Sequence, residues 1–478
     1  MLWAEATDLL TQLHAAGNSY TRIRTDTAVI TKLRVDYIDV DKLHAQECKR
    51  RLLKALPQIS KESSLPLKCA FLACLAKCAN ICGDGVLQSP AAHGMVKAIQ
   101  GSLVDPGAQA LLAKLSQPTG GAAAVKGPVC VTGANGFLGA HLVLQLLESG
   151  YTVHGTVRST GDESKTEHLL AMPGAAERLR LFECDLMGGK EAFTTAMQSC
   201  TGVYHTASPF FLKGYEDGQQ ALVQPAVQGT QAVLGAVLDS PSVTRVVLTS
   251  STASVYIDKR PSDHVYDEDD WSDLEHVRER GMHYVESKIL AERTAWGMLG
   301  PVMQEGARKL DLVVIAPTLI IGPMLQSSLN TSSAHLLALV DGSKAELPPG
   351  NKCFVDVRDT AAMHIKAMVD PSANGRYLCI AESVPYTAVA KVIRGALPPP
   401  LLQSMAAPAQ AAPEPAAHIV WSKEKAYQLG QHFRPVEHSI ADTVISLYLK
   451  GHMNSCLPEA LQRRPPQGAA AAPGAAAE

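Results

Sequence analysis

A dominant charge of either sign is missing from this 478-residue chain: 43 basic and 46 acidic side chains leave a formal net charge of -3. Without such a field neither nucleic acid nor an anionic membrane is favoured, and a small-molecule partner is the expectation. A disulfide framework is missing too. The 11 cysteines are odd in number and scattered, which suits a reducing intracellular compartment. A membrane-spanning segment is not expected either. The most apolar run, LDLVVIAPTLIIGP from Leu310 to Pro323, is short and broken by proline, and reads as a buried strand. An Arg/Ser-rich presequence is also lacking, since Glu5 and Asp8 stand early, so a cytoplasmic location is expected. What is present, 46% hydrophobic and 19% charged residues, is enough to bury a large core in roughly two or three domains.

The chain changes character along its length. Residues 1–118 show helical apolar spacing, as in Leu52, Leu53 and Leu56 and then Phe71, Leu72, Leu75 and Ala76, and predict an all-helical module. A Gly- and Ala-rich linker, 119–126, follows. From 127 to 457 short β-branched runs alternate with helical stretches: GPVCVT, YTVHGTV, LRLFEC, TGVYHT, TRVVLTSS, LDLVVIA. That alternation predicts an α/β fold, a Rossmann-type doubly wound parallel sheet. A Pro/Ala-rich insertion interrupts it at 397–417, and 458–478 reads as a low-complexity tail.

The first run opens into VTGANGFLGAHLV, a strand ending at Thr132, then Gly133, Gly136 and Gly139, then a helix from about Phe137. Such glycines permit the turn, let backbone approach a pyrophosphate, and let helix and strand pack closely. The phosphates then meet the positive end of that helix. At the tip of the second strand a protein using NAD places a carboxylate; here Arg158 stands, with Lys165 seven residues on. A guanidinium holds a 2'-phosphate that a carboxylate would repel, so NADP(H) is expected. Asp185 and Leu186 after the third strand, and Thr206, Ala207 and Ser208 after the fourth, border the same crevice. Asp185 is placed to hold the adenine amino group, and His205 reads as a packed histidine.

Tyr284 is the one tyrosine of 12 followed four residues later by lysine, Lys288, in the helical pattern HYVESKILAERTAW. Residues so spaced share a face. The expectation is that the Lys288 ammonium lowers the phenol's pKa towards working pH, making Tyr284 a general acid towards a carbonyl oxygen, while Lys288 also grips the nicotinamide ribose. The fifth strand ends in Ser250 and Ser251; one of them should hydrogen-bond the substrate, with Ser251 the choice and Ser250 the alternative.

These residues resemble the dihydroflavonol reductase and cinnamoyl-CoA reductase branch of the extended short-chain dehydrogenases, within the epimerase/dehydratase superfamily. The likeness runs from Val129 to about Met453 through TGANGFLG, GTVRS, KTEHLLAMP, CTGVYHTASP, VVLTSSTASVY, DEDDWSDL, APTLIIGP, FVDVRDTAAMHI, WSKEKAYQLG and FRPVEHS. It implies Ser251, Tyr284 and Lys288 as the catalytic triad. It further implies Gly133, Gly136, Phe137, Leu138, Arg158, Lys165, Asp185, Leu186, Thr206 and Pro317 as dinucleotide ligands. Tyr256 stands where dihydroflavonol reductases carry a polar residue, and GMHYVESK where cinnamoyl-CoA reductases carry NWYCYGK, so neither named activity is implied. What is implied is an NADP-dependent oxidoreductase of a bulky or aromatic aldehyde or ketone. Its specificity would be set after Tyr256, near Met324 to Leu337, and in a small C-terminal substrate subdomain that the resemblance adds to the sheet.

Two other readings stay open: a nucleotide-sugar epimerase or dehydratase of the same fold, which Arg158 disfavours, and a non-catalytic dinucleotide-sensing scaffold, which the intact triad disfavours. Cys69, Cys74, Cys78 and Cys82 read as the buried face of a helix, and no metal site is expected. The helical module leaves room for a protein partner. Asp267 to Asp270 read as a solvated loop anchored by Trp271, and Lys49, Arg50, Arg51 and Lys54 as a helix surface.

Overall fold

The short Val-rich runs become the strands of one sheet because both of their faces are apolar and require cover from both sides. In the computed structural model, which describes residues 126–209, 215–261, 263–306, 308–339, 346–397, 410–411 and 419–454, the strands in chain order are β1 (Lys126–Thr132), β2 (Tyr151–Val157), β3 (Leu179–Glu183), β4 (Gly202–His205), β5 (Arg245–Thr249), β6 (Val265–Tyr266) and β7 (Asp311–Pro317). They continue as β8 (Leu319–Ile321), β9 (Glu346–Leu347), β10 (Asn351–Asp356), β11 (Gly375–Cys379), β12 (Glu382–Pro385), β13 (Gln410–Ala411) and β14 (Val420–Trp421). Seven of them form the central sheet in the order β3-β2-β1-β4-β5-β7-β11. Every pairing in it is parallel. The order reverses between β1 and β4, the place where such sheets open a crevice for ligand.

Alternation along each strand divides the core. On β5, Val246 and Leu248 face helices Gln224–Leu238 and His283–Glu305, joining Val233, Leu234, Val237, Ala295 and Leu299. Val247, between them, faces helices Phe137–Glu148 and Val357–Val369, joining Leu142, Leu146, Met363 and Ala367. Each such Val, Leu or Met side chain, fully buried, contributes about 1.5–3 kcal/mol. The strand tips, Thr132, Val157, Glu183, His205, Thr249 and Pro317, therefore end on one edge, above two packed layers.

The apolar run Leu310–Pro323, expected as one strand, is two. Proline has no amide to extend the ladder, so β7 stops at Pro317 and β8 begins a second sheet, β12-β10-β8, in the C-terminal subdomain. That subdomain is tied down by charge: Arg358 donates to Asp356 and to Asp442 of helix Val436–Leu449, each at 2.6 Å. The last residue of the expected linker, Lys126, already belongs to β1. The rest of that linker, the helical module 1–118 with its four cysteines and basic patch, and the tail 458–478 lie outside the described residues. Of the Pro/Ala-rich insertion, only Leu397, Gln410 and Ala411 are described.

Candidate active site

At the tip of β1 the chain doubles back on itself. Gly133 has φ of +66°, and a Cβ there would sit 3.0 Å from the Ala207 Cα; a Cβ on Gly139 would sit 2.2 Å from the Gly133 carbonyl oxygen. Both positions therefore require glycine. The Gly136 amide donates to the Gly133 carbonyl and the Ala134 amide to the Thr156 carbonyl, each at 3.0 Å. Thr132 pins the loop to the chain after β4: its hydroxyl accepts from the Ala207 amide at 3.1 Å, and its carbonyl accepts from the Thr206 hydroxyl at 2.6 Å. Helix Phe137–Glu148 starts at Gly136 with no side chain capping it, so its first amides face the loop as an anion site does.

The neighbouring tips complete the edge. Arg158 is exposed directly after β2, and the Glu183 carboxylate at the tip of β3 accepts from the Thr160 amide at 3.1 Å, closing the loop behind it. Asp185 is exposed, with one oxygen taken by the Met187 amide at 2.8 Å. Leu186 packs on Gly229, and Pro317 is buried at the tip of β7. Thus Gly133, Gly136, Gly139, Phe137, Leu138, Arg158, Asp185, Leu186, Thr206, Ala207, Ser208 and Pro317 all border one edge. Lys165 is engaged within its own turn, its ammonium 3.2 Å from Asp162.

Ser250 and Ser251 part company. Ser250 donates to the buried Glu292 carboxylate at 2.6 Å. The Ser251 hydroxyl accepts from the Ala253 amide at 3.1 Å and bonds the phenol of Tyr284. Lys288, one turn along helix His283–Glu305, has its ammonium 5.9 Å from the Tyr284 ring centre. It lines a narrow cleft with His205, Ala207, Ser208, Thr249 and Ser250.

The electrostatics differ from expectation at Tyr284. Burial pushes its pKa up to about 12, with Tyr256 adding to the rise and the Ser251 hydrogen bond opposing it. Lys288 does not lower it, because its amine stands off beside the ring and is itself desolvated. Burial brings Lys288 down to about 8 against the attraction of Glu292. His205 is neutral, lowered to about 3 by burial and by Lys288, and shares a 2.9 Å hydrogen bond with Thr132. It is the packed histidine expected.

The sequence reading passed over Glu292 and Arg376. A signal existed: Tyr284, Lys288 and Glu292 recur every four residues, and a carboxylate continuing a buried face needs a partner. Nor is Asp267 to Asp270 simply solvated. Glu268 accepts from the Leu378 amide at 3.0 Å, Asp270 pairs with Arg260 and His264, and Arg376 stacks on Trp271 at 4.1 Å. Tyr256 meets Trp421 at 5.3 Å and Tyr266 at 6.4 Å, so part of the C-terminal subdomain packs on the tyrosine whose charge adds to the rise at Tyr284.

With this geometry in place, comparison with known proteins is decisive. A family model, the NAD dependent epimerase/dehydratase family, matches residues 129–379. The chain belongs to that family. Within it, the chain falls in the branch of cinnamoyl-CoA and dihydroflavonol reductases. It is 40% identical over 330 residues to "Cinnamoyl-CoA reductase CAD2" of Medicago truncatula, covering 68% of this chain and 97% of that protein. To "Dihydroflavonol 4-reductase" of Hordeum vulgare it is 35% identical, over 57% of this chain and 76% of that protein. Among solved structures, yeast methylglyoxal/isovaleraldehyde reductase Gre2 complexed with NADPH aligns with a TM-score of 0.57 and 26% identity, over 67% of this chain and 98% of that one.

Proposed function

We propose that this family member is an NADPH-dependent oxidoreductase that reduces an aldehyde or ketone to an alcohol, with Tyr284 as proton donor. The observation that carries the reading is the Ser251–Tyr284 hydrogen bond, with Lys288, one turn along the same helix, lining a cleft beside Ala207 and Ser208. The residues fit the dinucleotide. Gly133 and Gly139 allow the tight turn at the tip of β1, helix Phe137–Glu148 begins there with no side chain capping its first amides, and the buried Lys288 lines the cleft beside Ala207. Gly133, Gly136, Phe137, Leu138 and Gly139 would seat the pyrophosphate. Asp185 and Leu186 would border adenine; Thr206, Ala207, Ser208 and Pro317 would line the path to the nicotinamide. Arg158 would take the 2'-phosphate; Lys165 would join it only by leaving Asp162.

When bound, NADPH supplies the hydride for the carbonyl carbon. Ser251 orients the carbonyl oxygen, and Tyr284 donates its phenolic proton to that oxygen as the alcohol forms. A phenol with a pKa of about 12 is fully protonated at neutral pH, which suits reduction. The phenolate left behind faces Lys288, which is cationic below about pH 8. Aromatic packing of Tyr266 and Trp421 on Tyr256, the residue that adds to the rise at Tyr284, favours a bulky or aromatic carbonyl. An epimerase reading gains nothing from this site, because Arg158 replaces the acidic ribose clamp. A pure sensor has no need of a proton donor.

The test is consumption of NADPH and of NADH over a panel of aldehydes and ketones, with Arg158→Asp in parallel. Turnover with NADPH, and a swing towards NADH in the variant by about 10- to 100-fold, is expected. No turnover of any carbonyl, or an unchanged cofactor preference, would contradict the reading.

A further inference from the structure

Glu292 lies one turn beyond Lys288 and two beyond Tyr284 on the same helix. Its side chain is 0% exposed, a place carboxylates occupy only when paired. Its partner is Arg376 on β11, with Nε 2.7 Å from one carboxylate oxygen. The two groups attract by charge without an aligned Nε hydrogen bond. Arg376 is itself immobilised, donating to the carbonyls of Glu268 at 3.1 Å and Asp270 at 2.6 Å and to the Ser254 hydroxyl at 3.1 Å.

The other carboxylate oxygen accepts from Ser250 at 2.6 Å and lies 3.0 Å from the Ser254 hydroxyl. These serines bracket Ser251 in the chain, and the Ser254 hydroxyl also reaches the Ser251 carbonyl at 2.9 Å. Glu292 thus grips both sides of the turn that presents Ser251, and with Lys288 it lines the cleft. A buried ion pair is a weak source of stability, since desolvation offsets its attraction. This one gains its value from where it holds the serines.

We propose that Glu292 is a positioning residue of the reductase site: anchored by Arg376, it holds Ser251 against Tyr284 and sets the charge that Lys288 faces. The proposal rests on the reductase reading. Lys288 is surrounded by Tyr284 and Glu292 from its own helix and His205 from β4, with Arg376 of β11 behind Glu292. His205 is neutral, so Glu292 is the acid that opposes the effect of burial on Lys288. Removing its charge moves the loss of the ammonium to lower pH.

The full chain is assayed as Glu292→Gln and as the charge-balanced Glu292→Gln/Arg376→Gln, with a carbonyl that wild type reduces. Expected are NADPH affinity within about threefold of wild type, kcat lower by about 10- to 100-fold, and an alkaline limb of kcat moved acidward by about one pH unit. A folded variant whose pH profile overlies that of wild type overturns the proposal. Should neither variant fold, Ser250→Ala/Ser254→Ala, which cuts the link and keeps the ion pair, decides: a fall in kcat supports it, an unchanged kcat overturns it. Wild type that turns over no carbonyl would sink the reductase reading; active wild type with an indifferent Glu292 sinks only this inference.

Discussion

Two adjacent serines follow β5 directly, and their hydroxyls go opposite ways, as successive side chains do along extended backbone. The sequence shows the alternation but not which serine meets Tyr284; that is decided by Glu292, which draws Ser250 inward at 2.6 Å. Ser251→Ala is therefore expected to lower kcat by about 10²–10³-fold, as loss of a donor to the developing oxyanion does. Ser250→Ala should cost less, because Ser254 still reaches Glu292. Steady-state kcat of the two variants checks this; equal losses would contradict it. The spacing of Tyr284 and Lys288 was legible, whereas the rise of the phenol to about 12 was not. Burial belongs to the tertiary structure, and no spacing in the sequence reports it.

Among the elements, the glycine loop was legible because its requirement is local: a turn and a close approach that no side chain can share. Gly139→Ala places a methyl 2.2 Å from the Gly133 carbonyl. It should cost about 1–3 kcal/mol of stability and abolish NADPH binding, checked by thermal melting and by titration with the nucleotide. Retained binding would mean that the loop is not the cradle. Strand tips such as Thr132 and Thr249 were legible from β-branched runs that give way to Gly or Ser. The break between β7 and β8 falls at Pro317, but the run is apolar on both sides of that proline, and apolarity does not tell one sheet from two. Acidic clusters mislead similarly: Asp267 to Asp270 looks solvated until Arg376, more than 100 residues away (|i−j| 106 to Asp270), closes on it.

At the scale of the whole molecule, the two-sided core and the edge where its strands end follow from the alternating pattern, while the polar network beneath the edge does not. Burial also sets the response to acid. His141, His154, His168, His205, His364 and His452 all have lowered pKa values, with His141 and His364 at about 4. The unfolded chain takes up protons at these sites below about pH 6.5 while the folded one does not, so stability falls as pH drops from there towards 4. Asp359, raised to about 6, and Glu268, also raised, act the other way but are fewer. Melting temperature should fall between pH 6.5 and 4.5. His141→Gln, whose amide can still donate to the Pro323 carbonyl, should flatten that fall by about one proton's worth. A melting temperature flat across this range would contradict the account. The central claim, a protonated Tyr284 delivering its proton to a reduced carbonyl, is tested most directly by single-turnover NADPH oxidation with wild type and Tyr284→Phe on the best carbonyl found. The account predicts unchanged NADPH binding and a rate lower by about 10²–10⁴-fold in the variant; a Tyr284→Phe enzyme as fast as wild type would contradict it.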